Sequence, residues 1–350
     1  MDDTRIALLS QGLKKVKNPS VLLADTHIGK SVVVFNSYNA VAIDANDIDS
    51  SYGELDPKEL KKAIQLKLSL SDAVEGAMKQ ADIDPPEYLN TTPAVVEGWT
   101  PELTELSRIF GRIKQSTDRP TVDQIHRVES GHLTVTNGFI MAQAPTSLPE
   151  DFSLPGRLVR IIAGLLSKVD PMLIHYGRFD NADLIRVDML SGCGHIVSAW
   201  GYTDNTSKFP PTSQVEAFFD KEDRALRFHE GFDAPTNLKP AADLHVEFSY
   251  ENDTAVVVTK SGERHVLWSA EGTGYETTNP QEFEKGGDYP TQTLLDTVKL
   301  TYENYVHVAK HMTIDHLHVH MHHGVPVVIF GRARKNKDVP IRVAIAGLRT

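Results

Sequence analysis

The chain has 350 residues, with 36 Lys and Arg against 47 Asp and Glu, so its formal net charge is −11. This length is more than one hydrophobic core needs and suits two or three domains. No apolar run is long enough to cross a bilayer, and the first residues lack the apolar core of a signal peptide, so we expect a soluble, cytoplasmic protein with no membrane partner. The single cysteine, Cys193, fits a reducing compartment. An acidic balance alone argues against a nucleic-acid binder, so the placement of the basic residues decides the question.

Residues 1–92 combine amphipathic helices with short apolar strands. Their periodicity predicts a helix over Arg5–Lys17, strands over Ser20–Ala24, Ser31–Asn36 and Ala40–Asp44, and a second helix over Asp56–Lys67. Lysines lie off the apolar face of both helices. The stretch that follows, SDAVEGAMKQA, has helical spacing and leaves too little chain for three strands, so the second half of this region is abbreviated.

The next segment has the order β-α-β-β-β. The pattern predicts a strand over Ala94–Trp99, a helix over Pro101–Gln115, and strands over Val122–Glu129, His132–Thr136 and Phe139–Gln143. The helix has one apolar face and carries arginine and lysine elsewhere on its surface. One side is therefore suited to pack on a sheet, and the other side is basic.

The same plan then repeats. A strand is predicted over Phe152–Leu154, a helix over Gly156–Lys168, and strands over Met172–Tyr176, Ala182–Met189 and His195–Trp200. A chain that repeats one supersecondary unit usually builds a symmetric object. The resulting class is α+β, made of repeated βαβββ units.

The last part of the chain is richer in strands and has a long polar, glycine-rich loop. Its alternation predicts one further helix, over Thr291–Asn304. The predicted strands are Ala217–Phe219, Leu226–His229, Asp243–Tyr250, Thr254–Thr259, Arg264–Ala270, Met312–His322, Val325–Arg332 and Ile341–Leu348.

Several runs resemble the sliding clamps of bacterial-type DNA polymerases, the β clamps. DIDPPEYLNTTP, EGWTPELTELSRIFGRIKQSTDRP and HLTVTNGFIMAQ are similar to the second domain of that family, with Asn137 where the family has aspartate in the hairpin turn. Lys208, Phe209 and Pro210 resemble the junction into the third domain, and VAIAGLRT resembles the terminal strand. The resemblance covers Asp82–Val215 and Gln292–Thr350.

The resemblance implies a DNA-clamp fold of three similar domains, over residues 1–92, 93–215 and 216–350, with helices on the inner face and sheets outside. It implies a ring-shaped homodimer that encircles double-stranded DNA without reading its sequence. It further implies a non-catalytic processivity factor in DNA replication, with no cofactor and no metal. Its partners would be a DNA polymerase and a clamp loader, bound through clamp-binding peptides.

Basic residues off the apolar helix faces are the candidate DNA contacts. Lysine on a long stem supplies mobile charge to phosphates and suits a protein that slides. Basic helix faces can also be merely solvated, but four helices agree here. The candidates are Lys14, Lys15, Lys17, Lys58, Lys61, Lys62, Arg108, Arg112, Lys114, Arg157, Arg160, Lys168 and Lys299.

The resemblance also implies a pocket for a partner peptide with glutamine, leucine and phenylalanine anchors. Phe139 and Ile140 stand where the family has a polar pair, which favours a more apolar peptide. Ordinary hairpin core is the alternative reading. The implied lining is Val122, Thr136, Gly138, Phe139, Ile140, Met141, Pro326, Val328, Ala346, Gly347 and Leu348.

A competing signal is the run DHLHVHMHH at residues 315–323. Alternating His316, His318 and His320 match the histidine-triad pattern of nucleotide hydrolases and transferases, and such a strand can also bind a transition metal for a hydrolase. The bland alternative is an exposed strand face opposite a core face formed by Leu317 and its neighbours. No phosphate-binding loop, nucleophile elbow or zinc-type cysteine pair occurs in the sequence.

Overall fold

The computed structural model describes residues 3–79, 85–91, 93–111, 126–150, 152–179, 182–203, 212, 215–216, 219, 225–232, 244–249, 254–259, 261–269, 275–277, 297–318 and 326–347. The helices in these ranges are α1 Asp3–Lys15, α2 Pro57–Gln65, α3 Leu70–Ala77, α4 Pro101–Phe110, α5 Gly156–Leu165 and α6 Tyr302–Ala309, with a 3₁₀ turn at Glu87–Asn90. Within these same ranges no helix is long and apolar enough to span a bilayer.

The strands of the described ranges account for most of the regular structure. The first twelve are β1 Ser20–Thr26, β2 Gly29–Phe35, β3 Asn39–Asp44, β4 Gly53–Leu55, β5 Val95–Gly98, β6 His126–Glu129, β7 His132–Thr136, β8 Ile140–Pro145, β9 Ser153–Leu154, β10 Val169–Phe179, β11 Ala182–Ser191 and β12 Ile196–Thr203. The others are β13 Ala225–Phe232, β14 His245–Ser249, β15 Thr254–Val258, β16 Arg264–Ser269, β17 Tyr275–Thr277, β18 Thr297–Thr301, β19 Met312–His318, β20 Val327–Ala333 and β21 Pro340–Ile345.

The chain divides into two compact units. Unit 1 comprises Met1–Thr100 and Ser153–Lys208, and unit 2 comprises Pro101–Phe152 and Phe209–Thr350. Each unit is therefore discontinuous in sequence, because its two segments are separated by a segment of the other unit. The division into three domains at residues 92 and 215 stays a prediction.

Unit 1 is built on an antiparallel sheet of order β4-β1-β2-β3-β12-β11-β10-β5. Its centre is the pairing of β3 with β12, where Ala40 lies opposite Trp200. Helix α1 packs on β2 and β3, with Gly12 against Val34 and Val41. The opposite face is covered too, because Trp200 and the 3₁₀ turn share a buried cluster there. This double coverage explains why the central strands read as apolar runs without alternation.

Unit 2 contains an antiparallel sheet in which β17-β13-β19-β20-β21-β8-β7-β6 are consecutive neighbours. Its centre is the pairing of β21 with β8, where Ala344 lies opposite Met141. Helix α4 packs on β7 and β8, and its residues Leu103, Leu106 and Ile109 are fully buried. A separate four-stranded sheet has the order β16-β15-β14-β18, and α6 packs on its β14 and β18.

The two large sheets share one turn design, which occurs between β2 and β3 in unit 1 and between β7 and β8 in unit 2. In unit 1 the Asn36 Oδ1 accepts hydrogen bonds from the amides of Tyr38 and Asn39, both at 2.9 Å. In unit 2 the Asn137 Oδ1 accepts from the amides of Phe139 and Ile140, at 3.0 and 2.8 Å. Asparagine commonly closes tight turns in this way. The repeated sequence plan is thus accompanied by a repeated hydrogen-bond pattern.

Most predicted elements are confirmed in type, with ends that move by a few residues. The possible helix in SDAVEGAMKQA is confirmed as α3, and Asp56 caps α2 by accepting from the amide of Lys58 at 2.7 Å. Several predicted segments, including 112–125 and 319–325, lie outside the described residues.

Two predictions in the last part of the chain are wrong. The helix predicted over Thr291–Asn304 is wrong over residues 297–301, which form β18, and is confirmed only over its last three residues, because the helix begins at Tyr302. The spacing of Val298 with the earlier leucines predicts a helix, whereas the backbone of residues 297–301 pairs with β14. The strand predicted at Ala217–Phe219 is also wrong, since Phe219 is helical, as are residues 215 and 216.

Candidate nucleic-acid interface and partner surface

A basic stripe runs along α5 in unit 1. Arg157, Arg160, Gly164 and Lys168 are spaced three, four and four residues apart, which places them on one side of the helix and its final turn. Arg157 and Lys168 are exposed, and Arg160 is half-buried. The stem of Lys15 crosses this stripe, because a Cβ on Gly164 would lie 2.9 Å from the Lys15 Cε. The absence of a side chain at Gly164 lets α1 and α5 pack closely.

The other candidate cations of unit 1 lie on α1 and α2. Lys14 is in the last turn of α1 and Lys17 follows that helix, and both are exposed. Lys58, Lys61 and Lys62 on α2 are exposed as well, and α2 packs against α1. The two helices therefore add further cations to the part of unit 1 that contains the α5 stripe.

The candidates of unit 2 are less favourable. Arg108 on α4 forms an ion pair with Glu105, whose side chain is only 3% exposed. Burial raises the pKa of Glu105, although the charge of Arg108 and its hydrogen bond oppose the rise. Lys299 lies on β18 and not on a helix, so the premise for its selection is wrong. Arg112 and Lys114 are outside the described residues.

The predicted partner surface is largely an apolar cluster in unit 2. Met141 and Val328 are brought together in one cluster with Phe219 and Ala344. Thr136 and Ile140 are also buried, with 5% and 1% of their surface exposed. Phe139 differs, because 48% of its surface is exposed. Among the predicted lining residues of the described chain, Phe139 is the large apolar side chain best placed to meet a ligand.

The remaining lining residues fall at the edge of this cluster or outside the description. The amide of Ala346 donates to the carbonyl of Phe139 at 2.8 Å, which brings the chain end next to the turn. Gly138 has a φ of +86°, a conformation that side-chain-bearing residues rarely adopt. Pro326 is buried. Gly347 is half-buried, and Val122 and Leu348 are outside the described residues.

A polar network beside the apolar cluster was missed by the sequence reading. Gln143 Nε2 donates to Glu216 Oε1 at 2.8 Å, and Arg342 Nε donates to Gln143 Oε1 at 2.9 Å. The guanidinium of Arg342 lies over the ring of Phe219, 4.6 Å from its centroid. The available signal was the alternation of Met141 with Gln143 along β8, which puts both side chains on one face. Phe219 was predicted as strand and Glu216 was assigned to no element, so the contribution of these two residues was not foreseen.

The histidine run shows no chemical centre in its described part. His316 lies on β19 with its ring stacked on Phe330, the centroids 4.4 Å apart, and Leu317 on the other face is buried. The side chain of His318 and the whole of His320 are outside the description. Among the residues that are described, no group of three His, Cys, Asp or Glu side chains could hold a metal ion.

A second polar cluster, in unit 1, centres on Asp188. Its carboxylate lies 3.1 Å from His27 Nε2, 2.7 Å from Ser198 Oγ and 2.8 Å from His175 Nε2. Burial raises the pKa of Asp188, but the hydrogen bonds from His27 and Ser198 and the charge of Arg186 outweigh it and lower the pKa to about 2. Ser198 and Asp188 both face the same nitrogen of His27. The histidine therefore cannot relay a proton between them as in a hydrolase triad.

Comparison with known proteins gives matches among solved structures and none among family models or curated sequences. No protein-family model matches the chain, and no curated protein matches it. The β subunit of DNA polymerase from Streptococcus pyogenes is similar in structure, with a TM-score of 0.58, 14% identity and coverage of 99% of this chain and 97% of that one. The DNA polymerase III β subunit of Thermotoga maritima has a TM-score of 0.61 at 14% identity and the same coverage. A sliding clamp of Bartonella birtlesii, solved bound to griselimycin, has a TM-score of 0.62 at 12% identity, again with 99% and 97% covered. The chain thus has the α+β fold of bacterial sliding clamps over nearly its full length.

Proposed function

We propose that this chain is a DNA sliding clamp, a processivity factor that encircles duplex DNA and holds a polymerase on it. The observation that carries the proposal is the similarity of fold to three bacterial clamp subunits over 99% of the chain. The protein would perform no reaction of its own and would work in the cytoplasm without a cofactor. Its action follows from topology, because a closed ring stays on DNA without a tight contact.

The basic stripe of α5 and the lysines of α1 supply the contacts to phosphate. Arg157, Arg160, Lys168 and the lysines at the end of α1 belong to two helices that pack on each other. Contacts of this kind depend on charge and not on base identity, so the protein can slide. The net charge of −11 does not oppose this function, because contacts to phosphate depend on the local group of cations on α1 and α5 and not on the overall charge.

Two copies of the chain would complete the ring, each contributing three similar domains with its helices inward. In this chain α2 is followed by α3 and not by a second set of strands. The contact between the two copies would therefore differ from one formed by a domain with a full second set of strands. Sedimentation would report the assembly, with a dimer near twice the 38.8 kDa of the chain. A mass that stays at one chain at micromolar concentration would count against the homodimer.

A polymerase and a clamp loader would dock through short peptides on unit 2. The exposed ring of Phe139 lies in the turn that leads into the buried cluster of Met141 and Val328, and it offers an apolar contact at the surface. An exposed apolar ring of this kind suits a peptide with large apolar side chains.

Retention on DNA tests the proposal as a whole. The chain would be loaded on nicked circular DNA and on linear DNA of the same sequence, then passed through a gel-filtration column in moderate salt. A clamp remains with the circle and slides off the linear ends. Equal recovery of the protein with both substrates would reject the sliding-clamp function.

A further inference from the structure

The turn between β2 and β3 presents an exposed aromatic ring next to the basic helices of unit 1. Tyr38 is 56% exposed, and the guanidinium of Arg157 lies over its ring, 5.1 Å from the centroid. Arg157 also begins the basic stripe of α5. An exposed aromatic ring beside cations is the combination with which proteins bind single-stranded nucleic acid.

This turn is held in place by several contacts. Asn36 Nδ2 donates to the carbonyl of Lys17 at 3.0 Å, which ties the turn to the end of α1. The hydroxyl of Tyr88 donates to the carbonyl of Asn36 at 2.9 Å. The carbonyl of Tyr38 accepts from the amide of Tyr202 at 3.2 Å. The backbone that carries the Tyr38 ring is therefore fixed before any ligand binds, which lowers the entropic cost of binding.

Unit 1 contains a second exposed tyrosine that clarifies what is particular to Tyr38. Tyr52 is 53% exposed and has Lys30 over its ring at 5.2 Å. Its hydroxyl, however, donates to the carboxylate of Asp25 at 2.7 Å. That carboxylate would repel a phosphate backbone, whereas the turn of Tyr38 adjoins the cationic ends of α1 and α5. Tyr52 is thus a matched control.

We propose that Tyr38 and Arg157 form a stacking platform for an unpaired DNA base, which gives the clamp a preference for the junction between single and double strands. In a duplex the bases are paired and stacked, so the ring can stack only on a base that has left the helix. The phosphates of the same strand would lie along the basic stripe. This inference rests on the proposed clamp function and adds to it a preferred form of DNA.

Fluorescence anisotropy at low salt with two labelled DNAs tests it, using a blunt duplex and a primer–template junction with a single-stranded overhang. Tyr38→Ala should bind the junction about tenfold more weakly, as expected for the loss of one base stack. Its affinity for the blunt duplex should not change. Tyr38→Phe should bind like the unmodified chain because the ring remains, and Tyr52→Ala should bind both DNAs normally.

The outcomes separate this inference from the proposed function. If Tyr38→Ala binds the junction as tightly as the unmodified chain, the stacking platform is refuted while the clamp proposal stands. If Tyr38→Ala instead weakens only the binding of a clamp-binding peptide, the turn is a contact for a protein partner and the inference is again overturned. If the unmodified chain fails to stay on nicked circular DNA, the clamp function itself is lost. Unequal binding by Tyr38→Phe and the unmodified chain would also contradict stacking.

Discussion

Charge reversal on α5 gives the sharpest quantitative expectation. Arg157 is exposed and Arg160 is half-buried, so Arg157→Glu with Arg160→Glu should leave the fold intact while removing two phosphate contacts. Each contact contributes about 0.9 to the slope of log affinity against log salt, so the slope should fall by about 1.8. When the salt is raised from roughly 50 to 200 mM, the affinity of both proteins falls, and the fold-decrease for the double variant should be about ten times smaller than that for the unmodified chain.

The assay measures equilibrium binding to a labelled blunt duplex across a salt series, with fluorescence anisotropy as the readout. A control pair, Arg127→Glu with Lys337→Glu, makes the same change in net charge on unit 2, at exposed positions on β6 and in the turn after β20. Its salt slope should equal that of the unmodified chain. If both double variants lower the slope equally, overall charge and not the α5 stripe governs binding, and the assignment of these arginines is refuted.

Two further predictions concern the partner surface and the Asp188 cluster. About half of the Phe139 surface is exposed, so Phe139→Ala should not change the melting temperature. The variant should bind a synthetic clamp-binding peptide about tenfold more weakly in calorimetry, and unchanged binding would remove this residue from the pocket. The folded-state pKa of Asp188, about 2, lies below its ordinary value of 3.8, so its stabilising contribution of about 2 kcal/mol is present above pH 4 and disappears as the pH falls towards 2. Urea unfolding should follow this loss, and Asp188→Asn should flatten it; a parallel pH profile for the variant would contradict the assignment.

The fold of the first two thirds of the chain was accessible from sequence because local signals agreed there. Apolar spacing, the cap at Asp56 and the asparagine turns all indicate the elements that form. In the last third, the spacing of Leu294, Leu295 and Val298 is compatible with a helix as well as with a strand. The tertiary pairing of β18 with β14 decides for a strand, and no local signal reports such a pairing.

The candidate sites were predictable only where position on one element determines the neighbours. The stripe of Arg157, Arg160 and Lys168 follows from helical spacing alone. The network of Gln143, Glu216 and Arg342 could not be read in this way, because its members are 73 and 199 residues apart along the chain. The pairing of Arg108 with buried Glu105 was within reach, since i and i+3 residues are neighbours on a helix, but burial of the glutamate depends on packing.

The central claim is that the protein is held on DNA by topology, and cutting the DNA under the loaded protein tests it most directly. The protein would be loaded on a nicked circle, isolated with it, and followed by anisotropy while a restriction enzyme opens the circle at a single site. The account predicts stable association before the cut and release after it, at a rate set by the cut. Protein that stays bound to the linear product, or that leaves the intact circle equally fast, would contradict a ring that encircles the duplex.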